Sequence, residues 1–314
     1  MLDDTRHRLL NVLGDGALNY VLGGNLAPLL AELSVPPAPP NILVEPAARN
    51  TLGAVLLATA HALLRGPDQI AVMLPADHYI PDQEAFAGDF LRALDAADGG
   101  AIVTLGIKPT GPDTAYGYIE ASTRAAGPHA VEVKRFVEKP DLKRAEEYLA
   151  KGNFYWNSGM YFFKVSHMLE ELQQVNPPYA DTVHELARCL RAGDSDALAR
   201  CFLALPSISI DYAVIEKAKR ILLIPAGFAW SDVGAWDAVA ALNGGSQKGQ
   251  EALVDCNGSK VISADGGPFV AMLGVNDTLV ISTKDAVLVL DKSRAQDVRR
   301  VVDLLRELGR EDLL

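Results

Sequence analysis

What most constrains the fold of this chain is an alternation. Over roughly 200 residues, short apolar runs of strand length take turns with longer segments of helical periodicity, as in a sheet covered by helices on both faces. The clearest runs are Ile42–Val44, Ile70–Leu74, Ala101–Ile107 and Val131–Val137. Helical patterns cover 51–64, 83–97, 142–151, 166–174, 178–191, 194–204 and 211–219. This order predicts an α/β fold with a mostly parallel, Rossmann-like sheet. Ahead of it, residues 4–34 read as helix, turn, strand and helix, and Pro36 to Pro40 reads as a connection. The segment Gly244-Gly245-Ser246-Gln247-Lys248-Gly249-Gln250 reads as a linker. Beyond it lie short β-rich pieces at 259–263, 278–282 and 286–290, then one helix at 295–308, with no repeat long enough to suggest a solenoid. The predicted domains are therefore 1–243 and a small β-rich 250–314.

Charge and cysteine usage narrow the function. A net charge of −11 argues against a partner that is a nucleic-acid polymer, although one local cluster of cations is enough for a nucleotide. Cys189, Cys201 and Cys256 are widely spaced, show no metal-ligand pattern and read as reduced thiols. The longest apolar stretch, 53–64, contains His61 and is too short to span a bilayer. The start, Met1-Leu2-Asp3-Asp4-Thr5-Arg6-His7, has no signal-peptide pattern. The expectation is a cytoplasmic protein with no membrane partner.

Several stretches could carry chemistry. The run ending in Leu74-Pro75-Ala76-Asp77-His78 delivers a carboxylate at a strand end, where ligands of open α/β sheets collect. Asp77 has no Lys or Arg beside it and suits a hard cation such as Mg²⁺, unless it merely caps the next helix or turn. Glu45 to Thr51 places Glu45, Arg49, Asn50 and Thr51 at a helix start, where free N–H groups can meet an anion; a plain cap with a surface arginine fits equally. Gly117, between Tyr116 and Tyr118, permits close approach of backbone to ligand or forms a tight turn. Glu138 and Lys139 end a strand with a cation that could hold a phosphate or form a surface ion pair. Trp156-Asn157-Ser158-Gly159 offers Asn157 and Gly159 to sugar hydroxyls, or is a polar turn. Asp232, between Trp230 and Trp236, is a second isolated carboxylate, and two distant carboxylates can share one divalent ion. Gly14-Asp15-Gly16 is not a dinucleotide fingerprint, because position 19 is Asn; this disfavours a dehydrogenase.

LPADH at 74–78, EPAARNT at 45–51, FVEKPD at 136–141, FYWNSGMYFF at 154–163, SIDYAVIEKA at 209–218 and WSDVGAWDAV at 230–239 together resemble the mannose-1-phosphate guanylyltransferase family of sugar nucleotidyltransferases. The likeness runs over nearly the whole chain with six motifs in order. It implies a nucleotidyltransferase sheet with helices on both faces, a β-rich C-terminal domain, and the reaction GTP + mannose 1-phosphate → GDP-mannose + pyrophosphate with Mg²⁺. By the same resemblance Asp77 and Asp232 hold the metal and Lys139 neutralises the sugar phosphate. Glu138, Asn157 and Gly159 contact mannose, Gly117 lies against the sugar, and Glu45 to Thr51 lie on the nucleotide side. A homodimer is compatible with it.

One departure stands out. The family opens with a strand and a glycine-rich loop that wraps the triphosphate, and Met1 to Leu10 looks like the helix that follows that loop. The expectation is that Met1 is an internal methionine and that a central strand lacks its place here. A chain this short should bind GTP weakly and turn over little. The alternatives are a non-catalytic or regulatory relative that binds sugar nucleotide, and a nucleotidyltransferase using another base or sugar.

Overall fold

The computed structural model describes residues 1–32, 41–234, 236–242, 251–263 and 267–313. Its backbone contacts separate two compact units, Met1–Trp230 and Ser231–Leu314. The predicted division lies further along the chain, and the linker at 244–250 falls outside the described residues.

The first unit opens with α1 (Leu2–Leu13) and two short parallel strands, β1 (Tyr20–Gly23) and β2 (Ile42–Glu45). Next come α2 (Asn50–Leu63), β3 (Ile70–Met73), α3 (Gln83–Asp98) and β4 (Ile102–Ile107). α3 starts at Asp82, whose carboxylate accepts the Ala85 N–H at 2.9 Å. β5 (Tyr118–Ala125), β6 (Val131–Val137), α4 (Leu142–Lys151) and β7 (Phe154–Lys164) follow. α5 (Val165–Val175), α6 (Pro177–Ala192), α7 (Ser195–Leu203), a π-helical turn at Asp211–Ile215 and β8 (Ile221–Pro225) complete it.

Six strands form one sheet in the order β3-β7-β4-β8-β6-β5, with a further β7–β5 pairing. Side chains alternate between its faces with the period of two that strands impose. Tyr161 and Phe163 join the core under α2, α5, α6 and α7. Met160 and Phe162 join the core under α1, α3 and α4. The α/β class with helices on both faces stands. The mostly parallel sheet does not: among the described residues β4–β8 is its one parallel pair. The physical reason is that β5 and β6 form a hairpin, which needs only a short turn, and β7 then inserts antiparallel between β3 and β4. β3, β4 and β8 still point the same way, so their carboxyl ends share one edge of the sheet.

β1 and β3 each pair on one side only among the described residues. All four residues of each line a largely apolar cavity of about 840 Å³. Leu9 and Leu13 of α1 and Ala54, Val55 and Ala58 of α2 also border it.

The second unit is a parallel coil of short strands. β9 (Glu251–Val254) pairs with β11 (Val270–Leu273), and β10 (Lys260–Ser263) with β12 (Thr278–Ser282). Glu251 lies opposite Val270 and Lys260 opposite Leu279, an offset of 19 residues in both pairings. β13 (Val287–Asp291) then returns antiparallel to β12. α8 (Trp236–Leu242) packs Trp236 and Ala240 against Leu279 and Ile281. The closing helix α9 (Val298–Glu307) is preceded by a kinked 3₁₀ segment with non-helical Arg294, so it is shorter than the predicted 295–308.

Candidate active site

The loop after β3 is held from below by α1. Thr5 Oγ1 donates to the Ala76 carbonyl at 3.1 Å, and the Arg8 guanidinium donates to the His78 carbonyl at 3.4 Å. His78 is buried, and its Nδ1 accepts the indole N–H of Trp230 at 3.0 Å. Because indole can only donate, the proton of the neutral ring sits on Nε2. Asp77 itself is exposed and forms no ion pair among the described residues. The helix that follows it is capped by Asp82 instead.

Ring contacts join four of the motifs. Trp230 meets His78 edge-on at 5.1 Å and Tyr116 at 5.3 Å, and Tyr116 meets Trp156 at 4.8 Å. Beside this string, Gly117, Glu138 and Asn157 converge. The Asn157 N–H donates to the Gly117 carbonyl at 2.8 Å. A Cβ on Gly117 would lie 2.5 Å from Glu138 Oε2 and 3.4 Å from Asn157 Cβ, so only glycine leaves the Glu138 carboxylate where it is. Lys139, whose φ is 43°, places Nζ 3.5 Å from Glu138 Oε1. The Glu138 N–H donates to Glu216 Oε1 at 3.2 Å.

Asp211 is the centre of this group and was not among the predicted site residues. Its Oδ1 accepts Asn157 Nδ2 at 3.0 Å and also the Tyr161 hydroxyl, while Asn157 Nδ2 lies 2.9 Å from that hydroxyl. Burial, then the neighbouring Asp211 carboxylate, holds the Glu138 carboxyl above the ordinary glutamate range, with Lys139 opposing. Burial and Asp211 likewise push the Tyr161 phenol well above its usual value. Gly159, at φ 69°, would bring a Cβ within 3.5 Å of Pro75, so this part of β7 packs against the Asp77 loop.

The start of α2 is more occupied than its sequence suggests. Arg49 donates to the Leu203 carbonyl at 2.7 Å. The Thr51 N–H is taken by Asn50 Oδ1 at 2.8 Å, and the Leu52 N–H by the Ile208 carbonyl at 3.2 Å. Thr51 Oγ1 accepts the Ile210 N–H at 2.9 Å, which ties this motif to Asp211. Glu45, Thr51, Gly159, Tyr161 and Asp211 all line the cavity beside β3, and burial raises the Glu45 pKa.

Asp232 belongs to the second unit. Its Oδ1 accepts the Gly234 N–H at 3.1 Å, and Val233 between them holds φ 52°, a conformation a β-branched residue rarely adopts. No helix among the described residues is long and apolar enough to cross a membrane.

Residues 25–248 match the family model described as Nucleotidyl transferase, and 249–305 match the MannoseP isomerase/GMP-like beta-helix domain. The chain is 41% identical over 293 residues to the xanthan biosynthesis protein XanB of Xanthomonas campestris pv. campestris (strain B100), covering 90% of this chain and 60% of that protein. It is 38% identical over 286 residues to the mannose-1-phosphate guanylyltransferase of Escherichia coli (strain K12), covering 87% and 59%. The chain thus spans about 60% of the length of these curated relatives. A crystal structure of mannose-1-phosphate geranyltransferase from Thermus thermophilus superposes with a TM-score of 0.86 at 34% identity, covering 97% of this chain and 89% of that one.

Proposed function

Because the chain belongs to the nucleotidyl transferase family, we propose that the protein transfers GMP from GTP to mannose 1-phosphate, giving GDP-mannose and pyrophosphate. The observation that carries this reading is the meeting of Gly117, Glu138, Asn157 and Asp211 beside Lys139. Glu138 accepts hydrogen bonds from sugar hydroxyls, Asn157 supports that wall together with Asp211, and Gly159 lets β7 pass between the sugar and the Asp77 loop. Gly117 lets the ring approach the backbone. Lys139 is a point charge for the sugar phosphate.

The phosphate ester brings its own ionised nucleophilic oxygen, so the protein needs no strong general base. Its work is to align that oxygen with the α-phosphorus of GTP and to offset developing charge. Glu45, Arg49, Asn50 and Thr51 belong to the nucleotide side, with Arg49 and Thr51 as positioning residues that fix the start of α2.

Asp77 fits a hard divalent cation: it is exposed, offers only oxygen and caps no helix. Mg²⁺ is the proposed ion at Asp77. Bound there, Mg²⁺ supplies positive charge at the phosphates. GTP and a sugar phosphate as substrates make the cytoplasm the proposed location.

The test pairs pyrophosphate release from GTP and mannose 1-phosphate with calorimetric titration of GDP-mannose. Turnover with mannose 1-phosphate above that with glucose 1-phosphate supports the reading. GDP-mannose binding without pyrophosphate release would replace it with a sugar-nucleotide-binding role.

A further inference from the structure

Away from that site, α6 and α7 bring three soft or anionic donors together. Glu185 and Cys189 are one turn apart on α6, and Cys201 comes from α7. Their donor atoms all lie within 4.8 Å of one another. Cys201 Sγ is 3.8 Å from Glu185 Oε1. A tetrahedral zinc site with Zn–S of about 2.3 Å and Zn–O of about 2.1 Å has an S···O edge of roughly 3.6 Å. The observed spacing is a few tenths of an ångström from that edge.

We propose that Glu185, Cys189 and Cys201 form a binding site for a soft divalent cation of the Zn²⁺ or Cd²⁺ class, with water as the fourth ligand. Two sulfur donors select such an ion over Mg²⁺, which prefers oxygen. Cys189 is 2% exposed, which excludes water behind the site, while the Glu185 side chain is 39% exposed and leaves the fourth position open to solvent. Arg188 now holds the Glu185 carboxylate through Nε at 3.0 Å and through Nη2. That guanidinium lies on the surface and competes with the ion for the same oxygens. The three donors are scattered in sequence, and only the α6–α7 hairpin makes them neighbours.

Such an ion would fasten α7 to α6. α7 supplies the Leu203 carbonyl that receives Arg49 and the Phe202 ring, whose Cζ is 2.7 Å from where a Cβ on Gly53 would stand. The ion would therefore stiffen the seat of α2.

The experiment is titration of the reduced, metal-free full chain with Co²⁺, read by thiolate-to-cobalt charge-transfer absorption and the visible bands of tetrahedral cobalt. One equivalent should bind. Cys189→Ser and Cys201→Ser should each abolish the charge-transfer band, while Cys256→Ser should retain it. Glu185→Gln should weaken binding by about tenfold or more. Arg188→Gln should tighten it by freeing the carboxylate. Circular dichroism and thiol counting keep misfolding apart from loss of ligand. No charge-transfer band in the folded, reduced wild type, or a band that survives in the Cys189→Ser/Cys201→Ser double variant, overturns the site.

Discussion

Gly117→Ala tests whether the glycine exists to let Glu138 occupy the sugar wall. The new methyl would stand 2.5 Å from Glu138 Oε2, 3.1 Å from Phe136 Cζ and 3.4 Å from Asn157 Cβ. The Asn157 contact is ordinary and the Phe136 ring must give by a few tenths of an ångström, but the first contact is impossible, so the carboxylate must retreat by about 1 Å to regain normal contact. The obstacle is the tip of a flexible side chain, so the stability cost should sit near the low end of overpacking, about 1 kcal/mol. Binding should suffer more. Hydrogen bonds from sugar hydroxyls to a carboxylate contribute about 1.5–3 kcal/mol, so their loss should raise the Kd for GDP-mannose by roughly 10- to 100-fold. Calorimetric titration measures the Kd, and urea unfolding measures the stability. Gly111→Ala is the control, because nothing lies within 4 Å of its added Cβ. A Gly117→Ala protein that is folded and binds within threefold of wild type would refute the reasoning.

Further expectations concern the same cluster. Glu138→Gln should bind sugar nucleotide more weakly yet unfold at higher urea: the raised folded pKa means that the stability linked to Glu138 is present in acid and lost as pH rises past the ordinary glutamate range, so the variant's advantage should appear above that range and vanish below it. Asp77→Asn should leave urea stability within about 0.5 kcal/mol and reduce Mg²⁺-dependent pyrophosphate release at least about 100-fold, whereas Asp82→Ala should cost about 1 kcal/mol of stability and spare the metal response; the reverse pattern would make Asp77 structural. Lys139→Gly should be more stable than Lys139→Ala by about 1 kcal/mol, because only glycine adopts φ 43° without strain, while both lose phosphate binding; equal stabilities would remove the case for strain.

What the sequence made legible follows a physical boundary. Strands that are continuous apolar runs, such as β4 with six buried residues, announce themselves. β7 does not, because Asn157, Ser158 and Gly159 interrupt the apolar pattern of its 11 residues. β5 begins at Tyr118 directly after a glycine and reads as a turn. Missing those two strands is why the sheet was expected to be mostly parallel. Asp77 could be singled out because no Lys or Arg stands beside it, yet only the fold shows that Asp82 does the capping. Arg49 is the opposite case: its sequence context suggests an anion ligand, and a carbonyl 154 residues away holds the guanidinium. The meeting of Cys189 and Cys201 is likewise invisible to spacing, since it depends on how two helices pack.

Asp211 shows why the centre of the site escaped a reading of pattern. Residues 211–219 carry a helical pattern, and in an ordinary helix an acid there would be taken for a solvent-facing residue. The chain instead makes a π-helical turn over Asp211–Ile215 that buries Ala213, Val214 and Ile215. Wider turns of this kind are frequent at functional sites because they let a side chain point where the regular period would not. Here that direction is toward Tyr161 and Asn157. Two further departures from relaxed geometry fall within the site motifs of the first unit, Asn50 at φ 55° and Lys139 at φ 43°. Each costs about 1–3 kcal/mol and persists only where neighbours over-determine it. Those neighbours are present: Asn50 Oδ1 accepts the Thr51 N–H, and Glu216 holds the backbone just before Lys139. Strain, a π turn and two close carboxylates all lower stability at one place, and burial in the surrounding core maintains them. A pocket built for packing alone would have relaxed these features, so the tight fit at Gly117, the positive φ of Lys139 and the π turn at Asp211 support the proposed binding site around Asn157.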